Sequence, residues 1–125
     1  MKKLMIMLAL VFGANFANAL EIDSYTQEKL ANLQAQNKPT ALHFHASWCS
    51  TCAAQDAVFK SLESSKDLQG VTLLVVDFDN NKALRSQLKV KSQSTIIVYK
   101  GKSEVGRSAG DAGADSIKAL LAKGL

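Results

Sequence analysis

The stretch Thr40-Ala41-Leu42-His43-Phe44-His45-Ala46-Ser47-Trp48-Cys49-Ser50-Thr51-Cys52 changes its period halfway along, and that change sets the reading of the whole chain. From Thr40 to Ala46, Leu42, Phe44 and Ala46 alternate with His43 and His45, the period of two that marks a strand. From Cys49 onward Ala53, Ala57, Val58 and Leu62 recur at steps of three and four, the period of a helix, until Ser64-Ser65 ends the run. Both cysteines therefore stand where a strand hands over to a helix.

Working outward, Asn37-Lys38-Pro39 breaks whatever precedes the strand, because a proline disfavours helical backbone before it. Upstream, Ser24-x-x-Gln27 has the form of a capping box, and Leu30, Ala31 and Leu33 give an apolar stripe, so a helix is expected from Tyr25 to Gln36. Downstream, Val71 to Phe78 is a continuous apolar and β-branched run, as expected of a parallel strand covered on both faces. Asp79-Asn80-Asn81 turns the chain, Lys82 to Leu88 reads as a short helix and Thr95 to Tyr99 as a strand. Lys100-Gly101 is a tight turn into a hairpin partner at Glu104 to Ala109, and a last helix over Ala114 to Ala122 carries Ile117, Leu120 and Leu121. The order αβαβαββα predicts an α/β fold, a mixed sheet of about four strands with helices on both faces.

The beginning of the chain has a different character. Met1-Lys2-Lys3 is followed by an unbroken apolar run from Leu4 to Phe12 and by Ala17-Asn18-Ala19, a small-x-small pattern suited to signal peptidase. The run is well short of the ~20 residues a membrane span needs, so residues 1–19 are expected to be a secretory signal cleaved after Ala19 in preference to an anchor. A single domain over residues 20–125 remains, 106 residues whose formal charge falls from +4 to +2, with 13 basic side chains against 11 acidic ones. The lysines are scattered without interleaved aromatics, which argues against nucleic acid. An overall 47% apolar content with a single proline suits one ordinary core, and a monomer is expected. Two cysteines are too few for a disulfide-stapled miniprotein and are expected to do chemistry, in a periplasmic or secreted, oxidising setting.

Taken together, Lys38-Pro39, the strand Leu42 to Ala46, the Trp48-Cys49-Ser50-Thr51-Cys52 motif, Asp79 in the turn after the next strand and Gly110 after the hairpin resemble the thioredoxin family. The resemblance covers residues 20–125 apart from an extra N-terminal strand that many members have. It implies a thioredoxin-like fold and a thiol–disulfide oxidoreductase acting on disulfide-bearing proteins, with the Cys49–Cys52 disulfide as its redox centre and no further cofactor. The compact chain lacks the helical insertion common in family oxidants and isomerases, which points to a reductase, and a reductase outside the cytoplasm implies a membrane thiol-electron donor.

Placement assigns the roles. A cysteine at a helix N-terminus gains from unpaired backbone N–H groups and the positive end of the helix dipole, which favours Cys49 as the nucleophile. Cys52, one turn inward, is the expected resolving thiol. Trp48 is expected to shape the surface beside them.

Three departures from the family pattern bear on function. His43 occupies the position of a buried acid that moves a proton to or from the resolving thiol, and an imidazole with an unperturbed pKa of about 6.5 is suited to that duty. His45 replaces a common aromatic residue on the same strand face, so both histidines are expected toward the active-site helix, as proton carriers or simply as packed side chains. Ser94 replaces the cis-proline of the loop facing the cysteines. A trans Gln93–Ser94 bond is expected, since the cis form before a non-proline residue costs about 2.5–4 kcal/mol. The missing ring should uncover the sulfur pair and put a hydroxyl near it. Gln93, Ser94, Thr95 and Gly110 are the expected substrate-binding positions, Gln93 by pairing its backbone with a substrate strand. The alternative reading is a metal-binding module or chaperone in which Cys49, Cys52 and His45 hold Cu(I) or Zn(II).

Overall fold

The computed structural model describes residues 19–125; the expected signal lies outside the described residues except for Ala19. Five strands and four helices follow in the order β1 (Leu20–Ser24), α1 (Gln27–Ala35), β2 (Pro39–His45), α2 (Ser50–Leu62), β3 (Val71–Asp77), α3 (Lys82–Leu88), β4 (Thr95–Lys100), β5 (Ser103–Ala109) and α4 (Ala114–Ala122). A single 3-10 turn at Lys66–Leu68 links α2 to β3.

The sheet order is β1-β3-β2-β4-β5. β3 runs parallel to both β1 and β2, whereas β4 is antiparallel to β2 and to β5. The expected mixed sheet is present with one strand more than the residue pattern gave. Leu20 to Ser24 pairs with Val71 to Val75, and the Tyr25 N–H still donates to the Val75 carbonyl, so the chain is held in the sheet past Ser24. The capping-box reading of Ser24 is thereby corrected. The helix begins two residues after Tyr25, capped by Thr26, whose hydroxyl accepts from the Lys29 N–H at 3.0 Å.

Strand alternation sorts the core into two layers. On one face Ala41, Leu73, Ile96 and Val98 pack with Phe59 and Leu62 of α2 and Ile117, Leu120 and Leu121 of α4. On the other, Leu42, Phe44, Leu74, Val76, Ile97 and Tyr99 pack with Leu30 and Leu33 of α1 and Leu84 and Leu88 of α3. Each fully buried large aliphatic or aromatic side chain in these layers contributes about 1.5–3 kcal/mol through loss of contact with water. The hairpin between β4 and β5 turns at Gly101, where φ is +56° and a Cβ would displace the Asn37 carboxamide, so glycine is the residue that fits without strain.

β2 is the central strand, and the change of period read from the sequence is where it leaves the sheet. His45 is its last residue, and α2 starts at Ser50 with Cys49 as N-cap. Because α2 crosses the sheet's end, Cys52 joins the α1/α3 layer while Phe59 and Leu62 join the α2/α4 layer.

Candidate active site

Cys49 has extended backbone and caps α2 with its own sulfur: Sγ accepts the Cys52 N–H at 3.1 Å. Both cysteines are free thiols, Cys49 7% exposed and Cys52 fully buried. Ser94 Oγ lies 3.1 Å from Cys49 Sγ and 3.2 Å from Cys52 Sγ, so one hydroxyl touches both sulfurs. Burial would push the Cys49 thiol up, but hydrogen bonds from the Cys52 thiol, Ser94 and the backbone N–H groups of Cys52 and Thr51 hold it below the ordinary cysteine range. The Cys52 thiol is pushed up, first by burial and then by its hydrogen bond to Cys49. The two thiols are thus set apart, the outer one easier to ionise than the inner.

The loop that carries Ser94 is built without a cis bond, as expected. Ser94 instead adopts φ +68°, its N–H donates to the Phe44 carbonyl at 2.8 Å, and its carbonyl accepts from Gly110 N–H at 3.1 Å and Gln55 Nε2 at 3.0 Å. Thr95 begins β4, and its hydroxyl braces the turn by donating to the Ser92 carbonyl at 2.8 Å. The expectation that losing the proline ring would uncover the sulfurs is corrected. Ser94 is itself only 3% exposed, and the loop it anchors covers the pair. Gln93 is half-buried, and its backbone makes no hydrogen bond among the described residues, which leaves it able to pair with an incoming strand. Trp48 is 62% exposed, and its indole N–H donates to Asp79 Oδ2 at 2.8 Å, fixing the ring's edge beside the cysteines.

Beneath this lies a buried polar layer. His43 is fully buried, its ring edge-on to Phe59 at 4.8 Å between centroids. Gln55, equally buried, spends both amide protons on the carbonyls of Ser94 and Asp111, at 3.0 and 2.8 Å. Its Oε1 must then accept the 2.7 Å bond to His43 Nε2, which therefore carries the proton. Among the described residues His43 Nδ1 has no hydrogen-bond partner, and it stands 3.7 Å from Asp56 Oδ1. Burial drives the His43 pKa down, against the Gln55 bond and the Asp56 charge. Both histidines do face α2, since His45 Nε2 bonds Asp56 Oδ2 at 2.9 Å. Neither makes a hydrogen bond to a sulfur among the described residues; alternation aims them at Gln55 and Asp56, while the cysteines join the layer of Leu42 and Phe44.

The alternative metal set is not assembled, because His45 is turned onto Asp56. Among the described residues no three His, Cys, Asp or Glu side chains converge in a metal-holding geometry. Gln55 and Asp56 were absent from the expected site. Gln55 could have been found: it is a polar residue on the buried stripe Cys52, Gln55, Phe59, Leu62, where a carboxamide must have partners.

The chain matches the thioredoxin family profile over residues 21–123. Thioredoxin of Chlamydia trachomatis is 35% identical over 82 residues, 66% of this chain and 78% of that protein. Thioredoxin 2 of Plasmodium falciparum is 32% identical over 90 residues, 72% of this chain and 57% of that protein. The crystal structure of Trxlp from Edwardsiella tarda superposes with a TM-score of 0.77 at 28% identity, over 81% of this chain and 98% of that one. A thiol pair split in acidity at the start of the helix after a central strand is what disulfide exchange needs, and with these relatives it establishes that the chain belongs to the thioredoxin family of thiol–disulfide oxidoreductases.

Proposed function

We propose that the protein is an exported thiol–disulfide reductase, working as a monomer on disulfide-bearing proteins in the periplasm or outside the cell. Cys49 attacks the substrate disulfide as a thiolate, forming a mixed disulfide and releasing one substrate sulfur. Cys52 then attacks Cys49, releases the second substrate sulfur and closes the Cys49–Cys52 disulfide, which a membrane thiol-electron donor must reduce again. Trp48, Gln93 and Gly110 form the docking edge, with the unpaired Gln93 backbone offered to an extended substrate segment and the buried Ser94 and Thr95 supporting the loop from beneath.

The observation that carries the reductase reading is the plainness of the fold. The connections from α2 through β3 and α3 to β4 hold only a single 3-10 turn besides those elements, with no inserted helical segment. The relatives named thioredoxin are consistent with it. Export is supported by the basic start, short apolar run and Ala17-Asn18-Ala19 of the sequence, and by the first strand beginning at Leu20, immediately after the expected cleavage point.

The test is the reduction potential of the Cys49–Cys52 pair, followed through Trp48 fluorescence in graded thiol buffers. A value near about −270 mV is expected, and one near about −120 mV would overturn the reductase reading in favour of a dithiol oxidant. Mass spectrometry of the protein recovered from its native host should show loss of residues 1–19; an intact N-terminus would overturn the cleaved signal.

A further inference from the structure

The exchange cycle makes two demands at the sulfur pair in succession. Cys49 must be held as a thiolate before attack, and Cys52, the harder of the two to ionise, must become a thiolate after it. A group that favours the first anion is idle once Cys49 is bound in the mixed disulfide, unless it can turn to the second.

Ser94 is placed to do both. Its oxygen is 3.1 Å from one sulfur and 3.2 Å from the other, within sulfur hydrogen-bond range, and it carries one rotatable proton. Besides Ser94, Cys52 Sγ meets the Cys49 sulfur, which the mixed disulfide consumes, the Ala46 backbone, and the Phe44 carbonyl at 3.9 Å, an acceptor that cannot stabilise a thiolate, so among the described residues Ser94 is the side-chain donor left to it after the first step. The Ser94 backbone is fixed on both sides by bonds from its N–H to Phe44 and to its carbonyl from Gly110 and Gln55, so the hydroxyl can rotate while its oxygen stays in place.

We propose that the Ser94 hydroxyl is a catalytic hydrogen-bond donor that serves the two sulfurs in turn, donating to the Cys49 thiolate in the reduced enzyme and to the Cys52 thiolate in the mixed disulfide. Ser94 is neutral throughout. In the first step the Cys49–substrate S–S bond forms, the substrate S–S bond breaks, and the departing thiolate takes its proton from water. In the second, Cys52 gives its proton to water, Ser94 Oγ–H turns onto the new thiolate, the Cys49–Cys52 bond forms and the Cys49–substrate bond breaks. The substrate disulfide is reduced to two thiols and the enzyme pair is oxidised. His43 acts one step back as a positioning residue, through Gln55 and the Ser94 carbonyl. The inference rests on disulfide exchange through this pair and is independent of the direction and location proposed above.

The test is stopped-flow release of thionitrobenzoate from one equivalent of 5,5′-dithiobis(2-nitrobenzoate) mixed with the reduced protein. Attack by Cys49 gives a first phase and displacement by Cys52 a second. Ser94→Gly accepts the positive φ without strain, and Ser94→Ala controls for glycine's flexibility. Losing a hydrogen bond to a charged group should slow each phase about tenfold in both variants. The pH midpoint of the first phase should also move upward, which a purely structural role would not cause. Slowing of one phase alone overturns the two-sulfur role, and unchanged rates overturn any catalytic role for Ser94. A wild-type protein that gives no second phase would instead overturn exchange through the pair itself, a result distinguishable from the others before any variant is made.

Discussion

The two faces of β2 at its C-terminal end are built from neighbouring residues and do different work. The face of Leu42, Phe44 and Ala46 packs in one layer with Cys49 and Cys52, and the sulfurs there meet a single hydroxyl. The face of His43 and His45 leads to Gln55 and Asp56, with Phe59 packed against the His43 ring, and its side chains make no hydrogen bond to a sulfur among the described residues. A one-residue step along a strand reverses the side to which a side chain points, so adjacent positions share a backbone but not an environment. Reactivity and rigidity are thereby separated, and Gln55 joins them: it accepts from His43 on one side and grips the Ser94 carbonyl on the other.

Breaking the reactive face has the largest effect. Cys49→Ala should bring disulfide exchange down to the background rate of small-molecule thiols, measured by insulin reduction with dithiothreitol, while leaving the thermal transition within a few degrees. Retained exchange would mean that the sulfur at the helix N-cap is not the nucleophile.

Cutting the link should affect both faces. Gln55→Ala strands the His43 Nε2–H and the Asp111 carbonyl, costing about 2–4 kcal/mol in urea denaturation, and exchange should slow because Ser94 loses one of its anchors. If stability falls while exchange is untouched, the two faces are not coupled through Gln55.

Restoring the family's proline is not a simple reversion. Proline cannot adopt the φ of +68° at position 94, nor donate the N–H that Ser94 gives to Phe44, so Ser94→Pro should cost about 2–3 kcal/mol unless the whole loop refolds. A variant as stable as the parent would show that the loop has a second accessible conformation.

The polar face should reveal itself through pH. His43 binds a proton in the unfolded chain at about 6.5 and in the folded protein only at lower pH, because burial holds its pKa down. Between those values the unfolded state binds more protons, so stability is complete above about pH 6.5 and declines as the pH falls below it. His43→Gln should flatten that decline in thermal melts, and it should slow the second thionitrobenzoate phase less than Ser94→Gly does. An equal slowing would return the proton duty to the histidine.

The smallest effect is expected at the rim. Trp48 is exposed, so Asp79→Asn, which weakens the acceptor of its indole N–H, should change stability by about 0.5 kcal/mol or less, with a shift of Trp48 fluorescence as the direct readout.

Much of this was legible in the chain. The boundaries of α3 and α4 and the start of α2 at the cysteines followed from apolar periodicity and turn residues, because those helices each lay a regular stripe on the sheet. β1 was the element missed. Leu20-Glu21-Ile22-Asp23 does alternate, but Ser24-x-x-Gln27 offered a competing helix start, and only pairing with β3 decides between them. At the site, the cysteines, Trp48 and the presence of a hydroxyl at Ser94 were readable as residue types. The partners of His43 were not, since Gln55 is 12 positions away and Asp56 lies beside it, a full strand-to-helix crossing from the histidine.

Near neighbours alone fix the strand-to-helix junction, the order of its two cysteines, the thiol at the helix N-terminus and the absence of a proline at position 94, and these were readable in the sequence. Which groups meet across long separations is settled by the packing of distant segments. Ser94 lies 45 residues from Cys49 and 42 from Cys52, yet one hydroxyl touches both sulfurs, while His43, six residues before Cys49, touches neither. Local periodicity fixes which way a side chain points, but the packing of loop, strand and helix at the sheet's end fixes what it finds there.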